Sequence, residues 1–369
     1  MTSDVIRQRP LDPGESAPWF TAPTIGGPDQ WTFSAAGGRI CLMLFYGSAA
    51  NPVARAAIDA VIARRAMFDD IAASFFGVSM DASDASQNRV GQSIPGIRHF
   101  LDIDGAVSAL YGAHTGVADG TIQYQPHFVL LDRAMHTIAC FKITEPEAAL
   151  DAVVRAMADL GQNWAPILTV PHVFEPEMCR RLIDLYDTAG GAPSGFMREI
   201  EGKTSLIIDP TFKRRNDHEL VDSAMIDIIQ QRLSTRLVPA IRRTFQFEAT
   251  RIERYLVACY DAADRGCFQP HRDNTTRGTA HRRFAVTINL NDDYEGGDLR
   301  FPEFGPRTYR APVGGAVVFS CSLLHEATPV TRGRRYAYLP FLYDEAAARV
   351  RQENSRFLAD NLPAYTNAR

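Results

Sequence analysis

The sequence predicts two domains of different class: an alternating α/β module over residues 1–162 and a strand-built module over residues 163–369. Three observations predict this. At 369 residues the chain exceeds the usual size of a single hydrophobic core. Its first half alternates apolar, strand-like runs with helical stretches. Its second half sets short apolar runs beside chemistry-bearing residues, His271-Arg-Asp273 and His325 among them.

In the first half, the run Ile40-Cys-Leu-Met-Leu-Phe-Tyr46 reads as a strand and is followed by a helix from about Pro52 to Ala73. Further strands are expected at Phe75–Ser79, Phe128–Asp132 and Thr137–Phe141. A helix from Glu145 to Leu160 closes the module, and Gly161-Gln-Asn-Trp-Ala-Pro166 reads as the linker. The second half opens on Ile167-Leu-Thr-Val170 and a helix from about Pro176 to Ala189. Gly190 to Asn216, rich in glycine and charge, is expected to form a lid or substrate loop at a pocket mouth. Its basic cluster Lys213-Arg-Arg215 reads as solvated surface charge, with an anionic substrate or peptide as the alternative.

Composition narrows the function classes. The formal net charge of −4 gives no reason to expect nucleic acid or an anionic membrane as partner. The N-terminal stretch Met1 to Pro10 lacks the apolar core of a signal peptide, and no apolar run approaches a membrane span. Six cysteines, at 41, 140, 179, 259, 267 and 321, show no paired framework and suit reduced thiols in a cytoplasm.

The chemistry concentrates in His271-Arg-Asp273, in His325, and in an arginine ten positions beyond it, Arg335. Two imidazoles and a carboxylate are what a non-heme Fe(II) oxygenase uses to hold its metal by one face, leaving positions for a cosubstrate and dioxygen. On a strand, His271 and Asp273 share a face while Arg272 points away. His325 follows the buried run Ala316-Val-Val-Phe319, and the segment Thr331 to Tyr336 leads into another apolar strand, Tyr338 to Leu342, that would carry Arg335 past the metal. The guanidinium fork of Arg335 suits the distal carboxylate of 2-oxoglutarate. Because halide-incorporating relatives need the carboxylate's position open, Asp273 argues for hydroxylation.

The motifs around these residues are Leu256-Val-Ala-Cys-Tyr260, Gly266-Cys-Phe-Gln-Pro-His271-Arg-Asp273-Asn274, Thr287-Ile-Asn-Leu-Asn291, Glu295-Gly-Gly-Asp-Leu-Arg-Phe301 and His325 through Arg335. Over about residues 164–345 they resemble the prolyl 4-hydroxylase branch of the 2-oxoglutarate/Fe(II) dioxygenases. The resemblance implies a double-stranded β-helix (jelly-roll, cupin-like) with flanking helices, in which His271, Asp273 and His325 bind iron and Arg335 the cosubstrate. It places Tyr260 in the cosubstrate pocket. The pair Gly296-Gly297 suits a hairpin turn needing positive φ. Where the hypoxia-sensing relatives carry tyrosines, this chain has Phe268 and Asn289. Phe268 cannot donate a hydrogen bond, so cosubstrate anchoring falls to Arg335 and Tyr260, helped by Asn289 or Thr287.

The first half is similar to the thioredoxin-fold peroxiredoxins (AhpC/TSA type) over roughly residues 10–142, on Gly14-x-x-Ala17-Pro18-x-Phe20, Phe100-Leu-Asp-Ile-Asp-Gly-Ala106 and Ala109-Leu-Tyr-Gly112. Its chemistry is replaced: Gly47 stands at the proline position, Asn51 at the threonine, Ala54 at the peroxidatic cysteine and Gln125 at the arginine. This implies a pseudoenzyme domain for assembly, as a homodimer, or for substrate docking. Together the resemblances imply a cytoplasmic dioxygenase that uses Fe(II), 2-oxoglutarate and O2, with ascorbate as a reductant for oxidised iron. It would hydroxylate an aliphatic C–H, with a prolyl residue in a peptide or protein foremost. The alternatives are a free amino acid or other small molecule as substrate, and an oxygen-, iron- or redox-sensing interaction protein.

Overall fold

The computed structural model describes residues 7, 9–118, 121–159, 163–360 and 362, and divides into two compact units, Met1–Asn163 with Pro302–Pro306, and Trp164–Phe301 with Arg307–Arg369. Leu160 of the expected helix, and Gly161 and Gln162 of the expected linker, lie outside the described residues.

In the first unit a five-stranded mixed sheet is built from β1 (Ile40–Gly47), β2 (Ala73–Ser79), β3 (Ile97–Leu101), β4 (His127–Leu131) and β5 (Thr137–Lys142), in the order β3-β2-β1-β4-β5. The first three strands run parallel, and β4 and β5 are antiparallel additions. Central β1 is apolar throughout because both its faces are covered. Ile40, Leu42 and Leu44 enter one core, and Cys41, Met43 and Phe45 the other. Helix α1 (Pro52–Ala63) is started by the Asn51 side chain, which accepts from the Val53 N–H, with Pro52 in the first turn. It presents Ala54, Ala57, Ile58 and Val61 to the core, the spacing of one helical face. It is shorter than the sequence predicts, because the chain turns at Arg65–Met67 before β2 begins at Ala73. Helix α2 (Pro146–Ala158) completes the unit.

The second unit begins with β6 (Leu168–Val170) and α3 (Pro176–Ala189), whose Met178, Cys179, Leu182 and Tyr186 are buried. The segment expected to be a loop is structured. It holds the hairpin β7–β8 (Phe196–Ile200, Lys203–Ile207), turned by Glu201 and Gly202, both at positive φ as a two-residue hairpin turn requires. It continues into β9 (Lys213–Arg214) and β10 (Asn216–Glu219). Helices α4 (Ser223–Arg232) and α5 (Val238–Phe245), joined by a π turn at Leu233–Leu237, precede β11 (Arg251–Glu253).

From there the chain passes back and forth between two antiparallel sheets. The larger runs β6-β17-β14-β19-β12-β10 and the smaller β9-β13-β18-β15-β16. Their members are β12 (Leu256–Asp261), β13 (Cys267–His271), β14 (Phe284–Asn289), β15 (Leu299–Arg300), β16 (Thr308–Tyr309), β17 (Ala316–Ser320), β18 (His325–Ala327) and β19 (Arg334–Tyr338). This alternation is the winding of a double-stranded β-helix. A last strand, β20 (Phe341–Tyr343), pairs with β11 and β14. Arg335 therefore lies inside β19, and Leu339-Pro340 separates that strand from β20, where the sequence suggested one strand from Tyr338 to Leu342. Proline has no N–H to give a ladder, which accounts for the break.

The larger sheet sorts its residues by parity. Val257, Cys259, Val286, Ile288, Tyr336 and Tyr338 are packed in one hydrophobic core with residues of α3, α4 and α5. Their neighbours Leu256, Tyr260, Ala285, Thr287 and Arg335 face the other way, into a cavity.

Candidate active site

The cavity has a volume of about 700 Å³, within the range of small-molecule sites, and its lining residues all lie between 192 and 362. His271 ends β13 and His325 opens β18, and the two are directly opposed across the smaller sheet. Asp273 lies beyond the end of β13, in a bend rather than on the strand, with its N–H bonded to the Cys321 carbonyl at 3.0 Å. The shared face expected from strand alternation is thus produced by a turn. One ligand atom from each of the three residues lies within 4.8 Å of the others. His271 Nε2 is 3.6 Å and His325 Nε2 3.3 Å from the Asp273 carboxylate oxygens.

The imidazoles are oriented from behind. Nδ1 of His271 stands 2.7 Å from the Gln269 carbonyl and Nδ1 of His325 stands 3.0 Å from that of Leu323. A carbonyl only accepts, so each Nδ1 carries the proton and each Nε2 lone pair faces Asp273. Burial, then the His325 ring beside it, pushes His271 down to about 4, which keeps it neutral. Two imidazole nitrogens and one carboxylate, converging from one side, fit Fe(II) as the group they would hold.

Arg335 is buried in the same cavity. Its Nη2 donates to Thr287 Oγ1 at 2.9 Å, and its guanidinium carbon stands 5.2 Å from the Tyr260 ring centroid, β19 pairing Arg335 with Tyr260. Gly297, at φ +68°, leaves the room it needs, since a Cβ there would come 3.1 Å from Arg335 Cδ. Gly296 and Gly297 have the positive φ expected of them, but β-type pairing of Glu295–Gly296 with Val330–Arg332 replaces the expected hairpin turn.

Asn289 shares the inward parity of Thr287 but lies further along β14, where Tyr294 Oη donates to its Oδ1 and its Nδ2 donates to the Ala311 carbonyl. With Thr287 and Arg335 it lines a small void, and those two residues also line the cavity. Phe268 lines the cavity and stacks on His271, ring centroids 3.4 Å apart.

The basic cluster is not solvated as the sequence reading had it. Lys213 and Arg215 are only 5% and 6% exposed, and both line the cavity. Lys213 Nζ donates to Ser194 Oγ at 2.8 Å and the Gly195 carbonyl at 2.6 Å, and lies 4.6 Å from the Phe268 ring centroid. Burial, then the Arg215 guanidinium, pushes its ammonium well below the usual range. Arg215 is paired with Asp217 at 2.6 Å and donates to Tyr260 Oη at 3.4 Å. Sequence reading also missed a buried network behind the ligands. Glu253 accepts from Arg282 at 2.5 Å and is bonded to His281 Nε2 at 2.7 Å, while Arg282 donates to the Asp273 carbonyl at 3.3 Å. Nothing in a single sequence marks these charges as inward-facing.

In the first unit, Ala54 occupies the first turn of α1, where a peroxidatic thiolate would draw on the helix N-terminus. Gln125 is exposed.

Comparison with known proteins agrees with this division. Residues 13–136 match the AhpC/TSA family and residues 255–343 the 2OG-Fe(II) oxygenase superfamily. Curated relatives are PKHD-type hydroxylases. That of Cupriavidus metallidurans is 27% identical, over 46% of this chain and 75% of its own length. That of Pseudomonas fluorescens is 36% identical, over 28% and 47%. That of Synechococcus sp. (strain JA-2-3B'a(2-13)) is 29% identical, over 29% and 52%, so the chain spans about half the length of this relative. Among solved structures, a Trichoplax adhaerens prolyl hydroxylase is similar at TM-score 0.42 and 16% identity, covering 50% of this chain and 86% of that one. A Pseudomonas putida prolyl-4-hydroxylase is similar at 0.37 and 18%, covering 51% and 96%. The chain carries an AhpC/TSA domain followed by a 2OG-Fe(II) oxygenase domain.

Proposed function

We propose that the second domain is an Fe(II)- and 2-oxoglutarate-dependent dioxygenase that hydroxylates an aliphatic C–H. The observation that carries this is the convergence of His271, Asp273 and His325 on one cavity wall with the buried Arg335. Bound iron supplies the activation of dioxygen that amino-acid side chains cannot. One oxygen atom goes to succinate as 2-oxoglutarate loses CO2, and the other goes to the hydroxylated product.

The chain's own residues have separable tasks. His271 and His325 present lone pairs fixed by their backbone carbonyl partners, and Asp273 contributes negative charge. Arg335 and Thr287 take the distal carboxylate of 2-oxoglutarate, with the Tyr260 ring closing one side. Phe268 and Phe319, stacked on or edged against the two histidines, keep water from the ligand face. A prolyl residue in a peptide is one substrate class consistent with the relatives' printed names. A small acid is the other, and the cavity's wall of cations favours it.

The test is succinate formation from 2-oxoglutarate by the full-length protein with Fe(II) added. It is expected in the native chain and lost in His325→Ala with the circular-dichroism spectrum unchanged. Full turnover in that variant would remove the reading.

A further inference from the structure

The cations of the cavity wall are unequally spent. Arg215 is neutralised by Asp217 and Arg282 by Glu253. Lys213 is occupied by Ser194, Gly195 and the Phe268 ring, and Arg335 is placed for the cosubstrate. Arg272 and Arg351 also line it and donate to the Ser322 carbonyl and to Tyr343 Oη. Arg254 lines the cavity too; among the described residues it has no ion pair and gives one hydrogen bond, Nη2 to the Leu339 carbonyl at 3.3 Å. Its Nε is buried without an acceptor. A guanidinium has five N–H donors, and a buried donor left without an acceptor is a cost the fold carries unless a ligand meets it.

Its position relates it to the ligand triad. The guanidinium carbons of Arg254 and Arg282 each stand 4.0 Å from the centroid of the Phe341 ring, and Arg282 bonds to the Asp273 carbonyl. Two side chains, Phe341 and Arg282, thus stand between Arg254 and the backbone of the carboxylate ligand. The adjacent Glu253 is hydrogen-bonded to Arg282 and His281 and not to Arg254. The residue sits between β11 and β12 at φ +73°, a left-handed conformation that a long side chain seldom adopts and that tends to persist where function holds it. Burial, and then the guanidiniums of Arg282 and Arg215, push Arg254 down to about 10, with Glu253 and Asp217 acting the other way, so it stays charged at neutral pH.

We propose, resting on the oxygenase reading above, that the substrate is a carboxylic acid whose carboxylate is held by the Arg254 fork, with the C–H to be hydroxylated lying between that anchor and the His271/Asp273/His325 triad. A neutral internal prolyl residue would leave Arg254 unmet. A free amino or other organic acid, or the C-terminal carboxylate of a peptide, would satisfy it bidentately.

The full-length protein with Fe(II) and 2-oxoglutarate is given a low-molecular-mass cell extract, untreated or methyl-esterified, and in a parallel arm a protease digest of the same lysate treated both ways. Species gaining one oxygen atom are recorded by mass spectrometry. Products are expected from untreated material and not from esterified material. Their appearance in the low-mass arm assigns a free acid, and in the digest alone a peptide terminus. With the product's parent acid as substrate, Arg254→Gln is expected to raise the KM for that acid about 10- to 100-fold, well beyond any rise in the KM for 2-oxoglutarate, and Arg254→Lys to fall between. Equal yields from esterified and untreated material would overturn the proposal while leaving the oxygenase reading intact, as would equal rises in both KM values. Absence of succinate in every arm would sink that reading and this one together.

Discussion

Arg334 and Arg335 are neighbours with opposite fates. Arg334 is half-exposed and pairs with Asp187 at 3.1 Å, whereas Arg335 is buried against Thr287 and Tyr260. Arg335→Ala is therefore expected to weaken 2-oxoglutarate binding by about 1.5 to 3 kcal/mol, the worth of a charged hydrogen bond, and Arg334→Ala to leave the KM nearly unchanged. Equal effects in steady-state kinetics would place the cosubstrate elsewhere. Gly297→Ala tests the same site from the backbone. A methyl group at positive φ, 2.7 Å from Val330 Cγ2 and 3.1 Å from Arg335 Cδ, should raise that KM and lower stability by about 1 kcal/mol or more in denaturant titration. At this scale the ligands were legible because their chemistry is specific to residue type: imidazole, imidazole, carboxylate. The bond that Tyr294 gives to the Asn289 amide oxygen was not legible, because it comes from outside the strand. Arg254 was not legible as a site residue, and Lys213 only as the lesser alternative, since burial of a charge is decided by what packs over it.

Strands and turns were legible where their patterns were undiluted. The apolar runs of β1 and β17 and the helix Pro176–Ala189 appear where their sequences put them. The hairpin β7–β8 was hidden by surrounding glycines and charges, and by a half-exposed strand pair that lacks a clean period of two. Asp273 shows the converse: a correct expectation of convergence reached through the wrong element, because the bend after β13 is pinned by the distant Cys321 carbonyl. The elements behind the site make their own prediction. Glu253 on β11 is held well below its ordinary value of 4.5 because Arg282 and His281 outweigh the burial that would raise it. Its contribution to stability is fully present above pH 4.5 and is lost as pH falls through the depressed folded value. Glu253→Gln strands the Arg282 charge and should cost about 3 to 5 kcal/mol at neutral pH. The gap between variant and native protein should narrow in acid, and a gap independent of pH would show that packing, not the ion pair, is at stake.

Across the whole molecule every thiol is disfavoured as an anion. Burial pushes Cys41 up to about 12 and Cys140, Cys179 and Cys259 up to about 11, and Cys267 and Cys321 are raised as well. With Ala54 in the peroxidatic position, the full-length chain is expected to consume no peroxide at the expense of a thiol reductant. Consumption that disappears in Cys41→Ser or Cys140→Ser would overturn the pseudoenzyme reading of the first domain. That domain's family was legible from its motifs, but its present task was not, since four replaced residues point only to a chemistry it is expected to lack. The same protected sulfurs bear on durability. A dioxygenase of the kind proposed would expose itself to stray oxidants, yet Cys321, which braces Asp273 through its carbonyl, keeps its sulfur fully buried and protonated. Sulfenic acid forms from thiolates, so ageing in air should spare this scaffold and fall on the metal, and fresh Fe(II) with ascorbate, not a dithiol, should restore an enzyme that has gone stale.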